Sequence, residues 1–259
     1  LEEKKVVYDL KAVSGYTKQE LLQAIDESEA VSFDLFDTLL VRNVSSLDDL
    51  LSMIDIRLRD KNININDFVN IRTRAEKKLS IGRAPRLDKI YGEVLNSTNE
   101  LNADAEELSI IEYAVDLDTI EARREMVTLV NEIIEMGKPV YITSDCYYSK
   151  IQLQEILKVI GVNKVTDIIV SCEYDTSKTG NLFEKLIAIA GTKNIIHIGD
   201  DIVADEESAK RHGIKAFRIY SAIELLELIG GLNLLYNDQS LSDRIRIGMF
   251  TANLFNSPF

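Results

Sequence analysis

Cysteine is scarce in this chain. Cys146 and Cys172 are its two cysteines among 259 residues, and they have no paired spacing. This argues against a disulfide framework and against a cysteine-based zinc site, and it favours a reducing compartment. No apolar run reaches the roughly 20 residues that a membrane-spanning helix needs. No signal peptide is recognisable either, so we predict a cytoplasmic protein without a membrane span.

Positive charge is also in deficit. The chain has 30 lysines and arginines against 43 aspartates and glutamates, a net charge of −13 and a pI of about 4.7. Because nucleic acids and anionic membranes are polyanions, this surface argues against both as main partners. A phosphorylated ligand is not excluded, since it meets only the local field of its pocket. The 46% hydrophobic and 28% charged content is typical of a folded globular domain.

The chain contains a series of short apolar runs rich in β-branched residues. They cover residues 30–34, 139–143, 167–171, 195–199 and 216–220. Nearly continuous runs of this length are typical of strands buried on both faces of a parallel sheet. Helical patterns at residues 148–160, 182–190 and 204–212 separate the later runs, and each is followed by a glycine that can end a helix. The alternation predicts an α/β fold with a doubly wound, Rossmann-like parallel sheet.

Residues 43–136 interrupt this alternation. They show no convincing strand and carry helical patterns at residues 47–60, 67–79, 87–95 and, as one long helix, about 104–136. We therefore predict an α/β core of residues 1–42 and 137–235, with a helical cap of residues 43–136 inserted after the first strand. Residues 222–235 look helical. The tail, residues 236–259, is ambiguous, and its apolar end together with the start at Leu1 predicts a piece of a longer polypeptide.

Four polar segments lie at or after the ends of the predicted strands. The first strand runs into FDLFDTLL, residues 33–40, and the second ends in Thr143, Ser144 and Asp145. Ser177, Lys178, Thr179 and Gly180 follow the third, and Gly199, Asp200 and Asp201 end the fourth, with Asp205 four residues later. Ligands of doubly wound sheets bind at the carboxyl ends of the strands, so we expect these segments to meet in one site.

In this order and at these strand ends, the four segments resemble the motifs of the haloacid dehalogenase-like (HAD) superfamily. The resemblance spans roughly residues 28–220, and the helical insertion matches the mobile cap of that family. It implies a Mg²⁺-dependent hydrolase, a phosphatase that acts on a small phosphorylated metabolite through an aspartyl-phosphate on Asp34. The implied metal ligands are Asp34, the backbone carbonyl of Phe36 and Asp200, with Asp201 and Asp205 in or beside the metal site.

The remaining motif residues would then handle the phosphoryl group. Lys178 would offset the clustered negative charge, and Ser144 would donate a hydrogen bond to a phosphoryl oxygen. A carboxylate is a poor nucleophile in water, but it can form an acyl-phosphate when it lies in line with phosphorus and a divalent metal reduces the mutual repulsion. The candidate substrate-binding residues are Thr38, Ser144, Asp145, Lys178 and Arg42.

One position departs from the pattern of the HAD phosphatases. These enzymes usually carry a second aspartate two residues after the nucleophile, which protonates the leaving group, and here that residue is Phe36. Three interpretations follow: a phosphatase that recruits its acid from Asp37 or from the cap, a haloacid dehalogenase, whose leaving halide needs no proton, or a binding domain without turnover. The clustered Asp200, Asp201 and Asp205 speak against the dehalogenase.

The string FDLFDTLL followed by Arg42 resembles, more loosely, a subgroup of bacterial HAD proteins found with or fused to glycosyltransferases of cell-surface polysaccharide or glycoprotein synthesis. This resemblance implies a sugar phosphate or nucleotide sugar as substrate, or an accessory role beside a fused or partner glycosyltransferase. Other reactive side chains we interpret as structural: His197 as a core histidine with hydrogen-bond partners, Cys146 as packing, and Arg72, Arg74 and Arg83 as surface residues of the insertion.

Overall fold

The centre of the molecule is a five-stranded parallel sheet. The structure, a computed structural model, describes residues 17–81, 84–98, 102–231 and 239–259. The strands lie in the order β5-β4-β1-β6-β7, and every neighbouring pair is parallel. Their bounds are Ala30–Phe33 (β1), Val140–Ser144 (β4), Asp167–Val170 (β5), Ile195–Gly199 (β6) and Lys215–Arg218 (β7). β1 lies in the middle of the sheet. The chain adds β4 and β5 on one side of β1 and then β6 and β7 on the other side, which confirms the predicted doubly wound α/β fold.

The strands of the sheet interior are buried along their whole length, as their apolar runs predicted. Every residue of β1, β4 and β6 is buried. Helices cover the two faces, and their bounds are Lys18–Asp26 (α1), Arg124–Glu135 (α6), Lys150–Val159 (α7), Ser171–Tyr174 (α8), Leu182–Ala190 (α9), Ser208–Arg211 (α10) and Ala222–Leu228 (α11). A π-helical segment, Ile202–Glu207, precedes α10. Glycines with positive φ follow α7, α9 and α10, as the sequence predicted: Gly161, Gly191 and Gly213.

The insertion between β1 and β4 is mainly helical. Its helices are Leu47–Asp60 (α2), Phe68–Leu79 (α3), Leu87–Asn96 (α4) and Ala105–Leu117 (α5). The prediction of one long helix over residues 104–136 was wrong, because the strand Ile120–Ala122 (β3) divides it into α5 and α6. β3 pairs antiparallel with Leu40–Arg42 (β2) at the junction between insertion and sheet. Each of these strands has three residues, too few for an alternating pattern to show in the sequence.

Helix α6 contacts β4. Its buried face consists of Met126, Val127, Leu129, Val130 and Ile133. Residue 136 as the end of the cap therefore stays a prediction, and α6 itself lies with the sheet. Of the helix expected over residues 222–235, the structure shows α11, and residues 232–238 lie outside the described part of the chain.

The tail contains a helix, Leu241–Leu254 (α12), which packs against α2 and β2. Arg244 forms an ion pair with Asp49 at 2.6 Å, and its backbone carbonyl accepts a hydrogen bond from the Ser45 hydroxyl at 2.7 Å. Gly248 lies so close to the chain leading into α2 that an added Cβ would be 2.5 Å from the carbonyl carbon of Val44. The tail thus contacts the segment that joins the sheet to the insertion.

Within the described residues, no helix combines the length and the apolarity that crossing a bilayer requires.

Candidate active site

The four motif segments meet at the carboxyl edge of the sheet. Asp34 directly follows β1, Ser144 ends β4 and Asp200 directly follows β6. The backbone N–H of Asp34 donates to the carbonyl of Ile198 at 2.8 Å, so the sheet ladder continues up to the candidate nucleophile. Lys178 comes from the loop between α8 and α9. The fold therefore brings together residues up to 171 positions apart in the chain, from Asp34 to Asp205.

Lys178 lies between two of the carboxylates. Its Nζ donates to Asp34 Oδ1 at 2.8 Å and also to Asp205 Oδ1. Lys178, Asp34 and Asp205 are all buried. Carboxylate oxygens of Asp34, Asp200 and Asp205 lie within 4.8 Å of one another. Three acids at this spacing repel one another strongly at low dielectric, and the single ammonium offsets that repulsion only in part.

The pKa values of this group move in opposite directions. Burial raises the pKa of Asp34 to about 7, against the opposing effect of Lys178. Burial, followed by the neighbouring Asp37 and Asp34, raises the pKa of Asp200 well above its usual range. Burial acts in the same sense on Asp205, but the Lys178 ammonium and the His197 hydrogen bond outweigh it, so its pKa falls below the usual range. Asp205 is therefore the most stable anion of the set, whereas burial disfavours the ionised forms of Asp34 and Asp200.

The backbone of Lys178 is held on both sides. Its N–H donates to Asp145 Oδ1 at 2.9 Å, and its carbonyl accepts from the Ser208 hydroxyl. Asp145 thus positions the lysine loop. The neighbouring Ser144 is buried at the end of β4.

A buried polar chain crosses the sheet beneath the site. The Ser32 hydroxyl lies 2.9 Å from Thr143 Oγ1 and 2.9 Å from His197 Nδ1, and His197 Nε2 lies 3.0 Å from Asp205 Oδ1. Burial lowers the pKa of His197, so the ring is neutral at pH 7. His197 is a core histidine with partners on both nitrogens, and it orients Asp205. The sequence contained this signal, because polar residues interrupt three otherwise apolar strands.

The two acids after Asp200 differ in position. Asp201 is exposed, and its carboxylate accepts from the N–H groups of Val203 and Ala204 at 2.8 and 2.7 Å, as a helix cap does. Asp205 instead joins Asp34 and Asp200. Thr38 belongs with them too, since its hydroxyl donates to Asp200 Oδ1 at 3.2 Å. The structure therefore brings Asp205 into the acidic group and leaves Asp201 outside it.

Phe36 and Asp37 belong to the nucleophile loop, residues 34–39 between β1 and β2, and they line different cavities. Phe36 lines a cavity of about 740 Å³ that also contacts the residues flanking Ser144 and Lys178. Asp37, with a left-handed φ of 57°, lines a separate cavity of about 200 Å³ next to the tail helix α12. Burial raises the pKa of Asp37, opposed by Arg42 and Arg123. Asp37, proposed from sequence as a substitute acid, is thus not among the residues that line the cavity of Phe36.

Arg42 forms an ion pair with a carboxylate that the sequence did not indicate, Asp116. Its Nε and Nη2 donate to Asp116 Oδ1 and Oδ2 at 2.6 and 2.8 Å, and the Tyr148 hydroxyl donates to the same carboxylate at 2.7 Å. The guanidinium also lies 4.2 Å from the centre of the Phe36 ring. Arg42 therefore lines the large cavity as half of a bidentate ion pair.

The arginines of the insertion have unlike environments. Arg72, expected at the surface, is buried and bonded by Nε and Nη2 to the two Glu112 oxygens at 2.8 and 2.7 Å. That expectation was wrong because a guanidinium can be buried when a carboxylate from another helix accepts two of its hydrogen bonds, as Glu112 of α5 does here. Arg74 is exposed, as expected. Arg83 lies outside the described residues. Cys146 is not activated, since burial raises the pKa of its thiol.

Arg123 is a further buried residue that sequence reasoning missed. It is fully buried, and Nη1 donates to the backbone carbonyls of Asp37 at 2.6 Å and Tyr220 at 2.8 Å. Nε donates to the carbonyl of Asn256 at 3.1 Å. Burial lowers its pKa to about 10, although Asp37 and Asp200 act in the opposite direction. Arg123 thus ties the nucleophile loop to the tail.

Comparison with known proteins gives structural neighbours alone. No family model matches the chain, and no curated protein matches it. A 2-haloacid dehalogenase from Pseudomonas syringae is similar with a TM-score of 0.51 and 16% identity over 72% of this chain and 84% of that one. YfnB from Bacillus subtilis, assigned as a HAD-hydrolase and bound to magnesium, gives 0.52 and 15% over 79% and 99%.

A HAD family enzyme from Bacteroides thetaiotaomicron gives a TM-score of 0.52 and 12% identity over 77% of this chain and 97% of that one. At these identities the likeness concerns the fold. The chain therefore has the α/β fold of the HAD-superfamily hydrolases, with Asp34, Ser144, Lys178 and Asp200 at the carboxyl edge of its sheet.

Proposed function

We propose that this protein is a Mg²⁺-dependent hydrolase that removes a phosphoryl group from a small phosphorylated molecule, with Asp34 as the nucleophile. The observation that carries the proposal is the buried group of Asp34, Asp200, Asp205 and Lys178 at the edge of the sheet. A purely structural role would not require three clustered acids with a single lysine, because their mutual repulsion lowers stability.

The residues present fit a Mg²⁺ ion. Mg²⁺ prefers oxygen ligands and is commonly held by one or two carboxylates. Asp34 and Asp200, whose pKa values are raised by burial and by neighbouring carboxylates, would hold it, together with the carbonyl of Phe36 that the family resemblance implies. The bound ion would reduce the repulsion between the Asp34 carboxylate and the phosphoryl oxygens. The magnesium bound to the fold neighbour YfnB supports the choice of metal.

The chain's own residues then divide the work. Asp34 attacks phosphorus, and the bond to the leaving oxygen breaks as the aspartyl-phosphate forms. Lys178, held by Asp145 and Ser208, stays at Asp34 and binds a phosphoryl oxygen, and the Ser144 hydroxyl donates to another. His197 keeps Asp205 oriented toward Lys178. Water then hydrolyses the aspartyl-phosphate.

Proton transfer is the weak step in this scheme. The Phe36 ring can neither protonate a leaving group nor activate water, and such transfers contribute about 10²–10⁴-fold in rate. Asp37 lines the other cavity, so it does not replace the missing acid. We expect substrates with acidic leaving groups to react fastest, because they depart without a proton.

Dehalogenation is a second candidate, supported by Phe36 and by the dehalogenase among the fold neighbours. Against it, a halide-releasing site gains little from Asp200 and Asp205. A non-catalytic role beside a fused or partner glycosyltransferase is the third, and the location in the cytoplasm likewise stays a proposal. Turnover separates the first two from the third.

The test is hydrolysis of an aryl phosphate with and without Mg²⁺ by the wild type, by Asp34→Asn and by Asp60→Asn. Asp60 is exposed at the end of α2 and serves as the matched control. Activity in wild type and Asp60→Asn that disappears with EDTA and in Asp34→Asn supports the proposal. Equal activity in all three proteins, or none, contradicts it, and release of halide from a 2-haloacid is then measured.

A further inference from the structure

The large cavity beside the nucleophile loop has the size of a small-molecule site. Its volume of about 740 Å³ lies within the range of about 300–1,000 Å³ that is common for ligand pockets. Phe36, Asp145 and the residues around Lys178 form its inner wall, and Glu76, Ser80 and Pro85 of the insertion form its outer wall. A phosphoryl group at Asp34 and Lys178 would direct the rest of the substrate into this cavity.

Among the residues that the structure describes, the charged side chains on the cavity wall are Arg42, Glu76 and Asp145. Arg42 is already paired in bidentate fashion with the buried Asp116. An anionic group on a ligand would have to compete with that pair for the guanidinium. Arg42 therefore contributes little free positive charge to the cavity.

Glu76 lies in an acidic environment of its own. Its carboxylate accepts from Arg72 Nη1 at 2.7 Å, but the same arginine is bonded by its other two nitrogens to Glu112. One cation thus serves two carboxylates, and Glu112 is the fully buried one. Glu76, whose side chain is 30% exposed, faces the cavity with the excess negative charge.

The described part of the wall is therefore negative. Arg42 on the wall and Arg72, which bonds the wall residue Glu76, are outnumbered by the wall carboxylates of Glu76 and Asp145 together with the buried partner carboxylates of Asp116 and Glu112. Even without Asp145 the carboxylates outnumber the arginines. In a partly desolvated cavity, a second anion on the substrate is disfavoured by this excess and an amine is favoured.

The remaining wall is rich in neutral hydrogen-bonding groups. The hydroxyl side chains on it are Ser80, Ser171, Thr176, Ser177 and Thr179. Hydroxyls both donate and accept, so they match the hydroxyls of a polyol. Phe36 and Tyr147 add two aromatic side chains that can cover apolar C–H surface.

We propose that the substrate is a phosphate monoester of a polyhydroxylated, sugar-like skeleton without a second anionic group, that an amine on this skeleton improves binding, and that Glu76 determines this preference. The inference rests on the proposed hydrolase function. It excludes bisphosphates, phosphorylated sugar acids and nucleotide sugars as good substrates.

The test uses four compounds that each carry a phosphate ester on the primary C6 hydroxyl: glucosamine 6-phosphate, glucose 6-phosphate, 6-phosphogluconate and fructose 1,6-bisphosphate. Each is measured as a competitive inhibitor of aryl phosphate hydrolysis, so the result does not depend on its own turnover. We expect binding to weaken in the order given, with about a tenfold difference between the neutral sugar and the sugar acid.

Glu76→Gln tests the residue. Glutamine keeps an acceptor for Arg72 but removes the charge, so the tenfold penalty on 6-phosphogluconate should shrink to about threefold or less and the advantage of the amine should disappear. Glu107→Gln, an exposed residue of the same insertion outside the cavity, is the matched control and should leave all four inhibition constants unchanged.

Each other result overturns something definite. Equal inhibition by all four compounds, tighter binding of the anionic ones, or no inhibition by any of them overturns the substrate class while aryl phosphate hydrolysis keeps the proposed function. An unchanged pattern in Glu76→Gln removes Glu76 as the determinant. Absence of aryl phosphate hydrolysis overturns the proposed function and this inference with it.

Discussion

The two sides of the nucleophile loop differ in the hydrogen-bond acceptors of their arginines. On the Phe36 side the cavity measures about 740 Å³; Arg42, which lines both cavities, is paired with Asp116, and Arg72, which bonds the wall residue Glu76, is paired with Glu112. On the Asp37 side, Arg123 donates to backbone carbonyls and the cavity measures about 200 Å³. Ion pairs between side chains can rearrange around a ligand, whereas hydrogen bonds to backbone carbonyls hold the chain itself.

This difference assigns two tasks to one short loop. The Phe36 side provides a space for a substrate, and the Asp37 side attaches the loop to the tail through Arg123 and Asn256. Asp37 adopts a left-handed φ, which is unfavourable for a residue other than glycine. The hydrogen bond from Arg123 to the backbone carbonyl of Asp37 compensates for that strain. We infer that the nucleophile is positioned from one side and reached by substrate from the other.

The comparison predicts its largest effect at Phe36. Phe36→Asp places a carboxyl group on the cavity side, where it can protonate a leaving group. We expect hydrolysis of alkyl phosphates to rise by up to about 10²–10⁴-fold, with a much smaller gain on aryl phosphates. The measurement is the ratio of kcat/KM for the two substrate classes.

Asp37→Asn is the counterpart on the other side. It should leave the alkyl-to-aryl ratio unchanged, because Asp37 does not face the substrate cavity. A fall in alkyl phosphate hydrolysis in Asp37→Asn, without a gain in Phe36→Asp, would show that Asp37 is the acid and that the two sides are not separate.

Removing Arg123 should have the next largest effect. Arg123→Ala leaves the carbonyls of Asp37 and Tyr220 without their donor and opens a void, so we expect a loss of about 3 kcal/mol or more in the free energy of unfolding. Urea denaturation measures it. Arg74→Ala, at a largely exposed position, should change the same quantity by no more than about 0.5 kcal/mol.

Arg123→Lys distinguishes the effect of the hydrogen bonds to the backbone carbonyls from the effect of the positive charge. Lysine keeps the charge but cannot reach several carbonyls as a planar fork does. If the fork positions the nucleophile loop, the variant should lose kcat more than it raises KM. A variant with wild-type kinetics would mean that Arg123 serves stability alone.

How far the sequence predicts this molecule depends on the range of the interaction. The strands, the helix-ending glycines and the order of the motif segments follow from local patterns, and so they could be read in advance. The Arg42–Asp116 and Arg72–Glu112 pairs join residues 74 and 40 positions apart, and no local pattern marks them. Arg123 is harder still, because its partners are backbone carbonyls, which every residue has.

The acidic motif shows the same limit within a few residues. Asp201 and Asp205 both fit the metal-site pattern of the sequence. The structure separates them, because Asp201 begins the next helical segment and its carboxylate caps the free N–H groups there. A cap preference of aspartate at this position could have been recognised from sequence, whereas the contact of Asp205 with Lys178 and His197 could not.

The smallest predicted effect concerns pH and the metal. Burial raises the pKa of Asp34 to about 7, so below that pH the metal-free protein holds a proton that Mg²⁺ must displace. Because the proton competes with the metal, the apparent Mg²⁺ affinity falls as the pH falls through 7, and we expect about a threefold loss between pH 7.5 and 6.5. Asp34→Asn should remove the contribution of Asp34 and leave that of Asp200, whose pKa burial also raises, and Asp60→Asn should retain the full dependence. Calorimetric titrations in buffers of different ionisation enthalpy would detect the released proton. A flat affinity profile in the wild type would mean that Asp34 is already ionised without the metal. The Lys178 ammonium would then be sufficient to stabilise the Asp34 carboxylate, as Arg123 stabilises the carbonyl of Asp37.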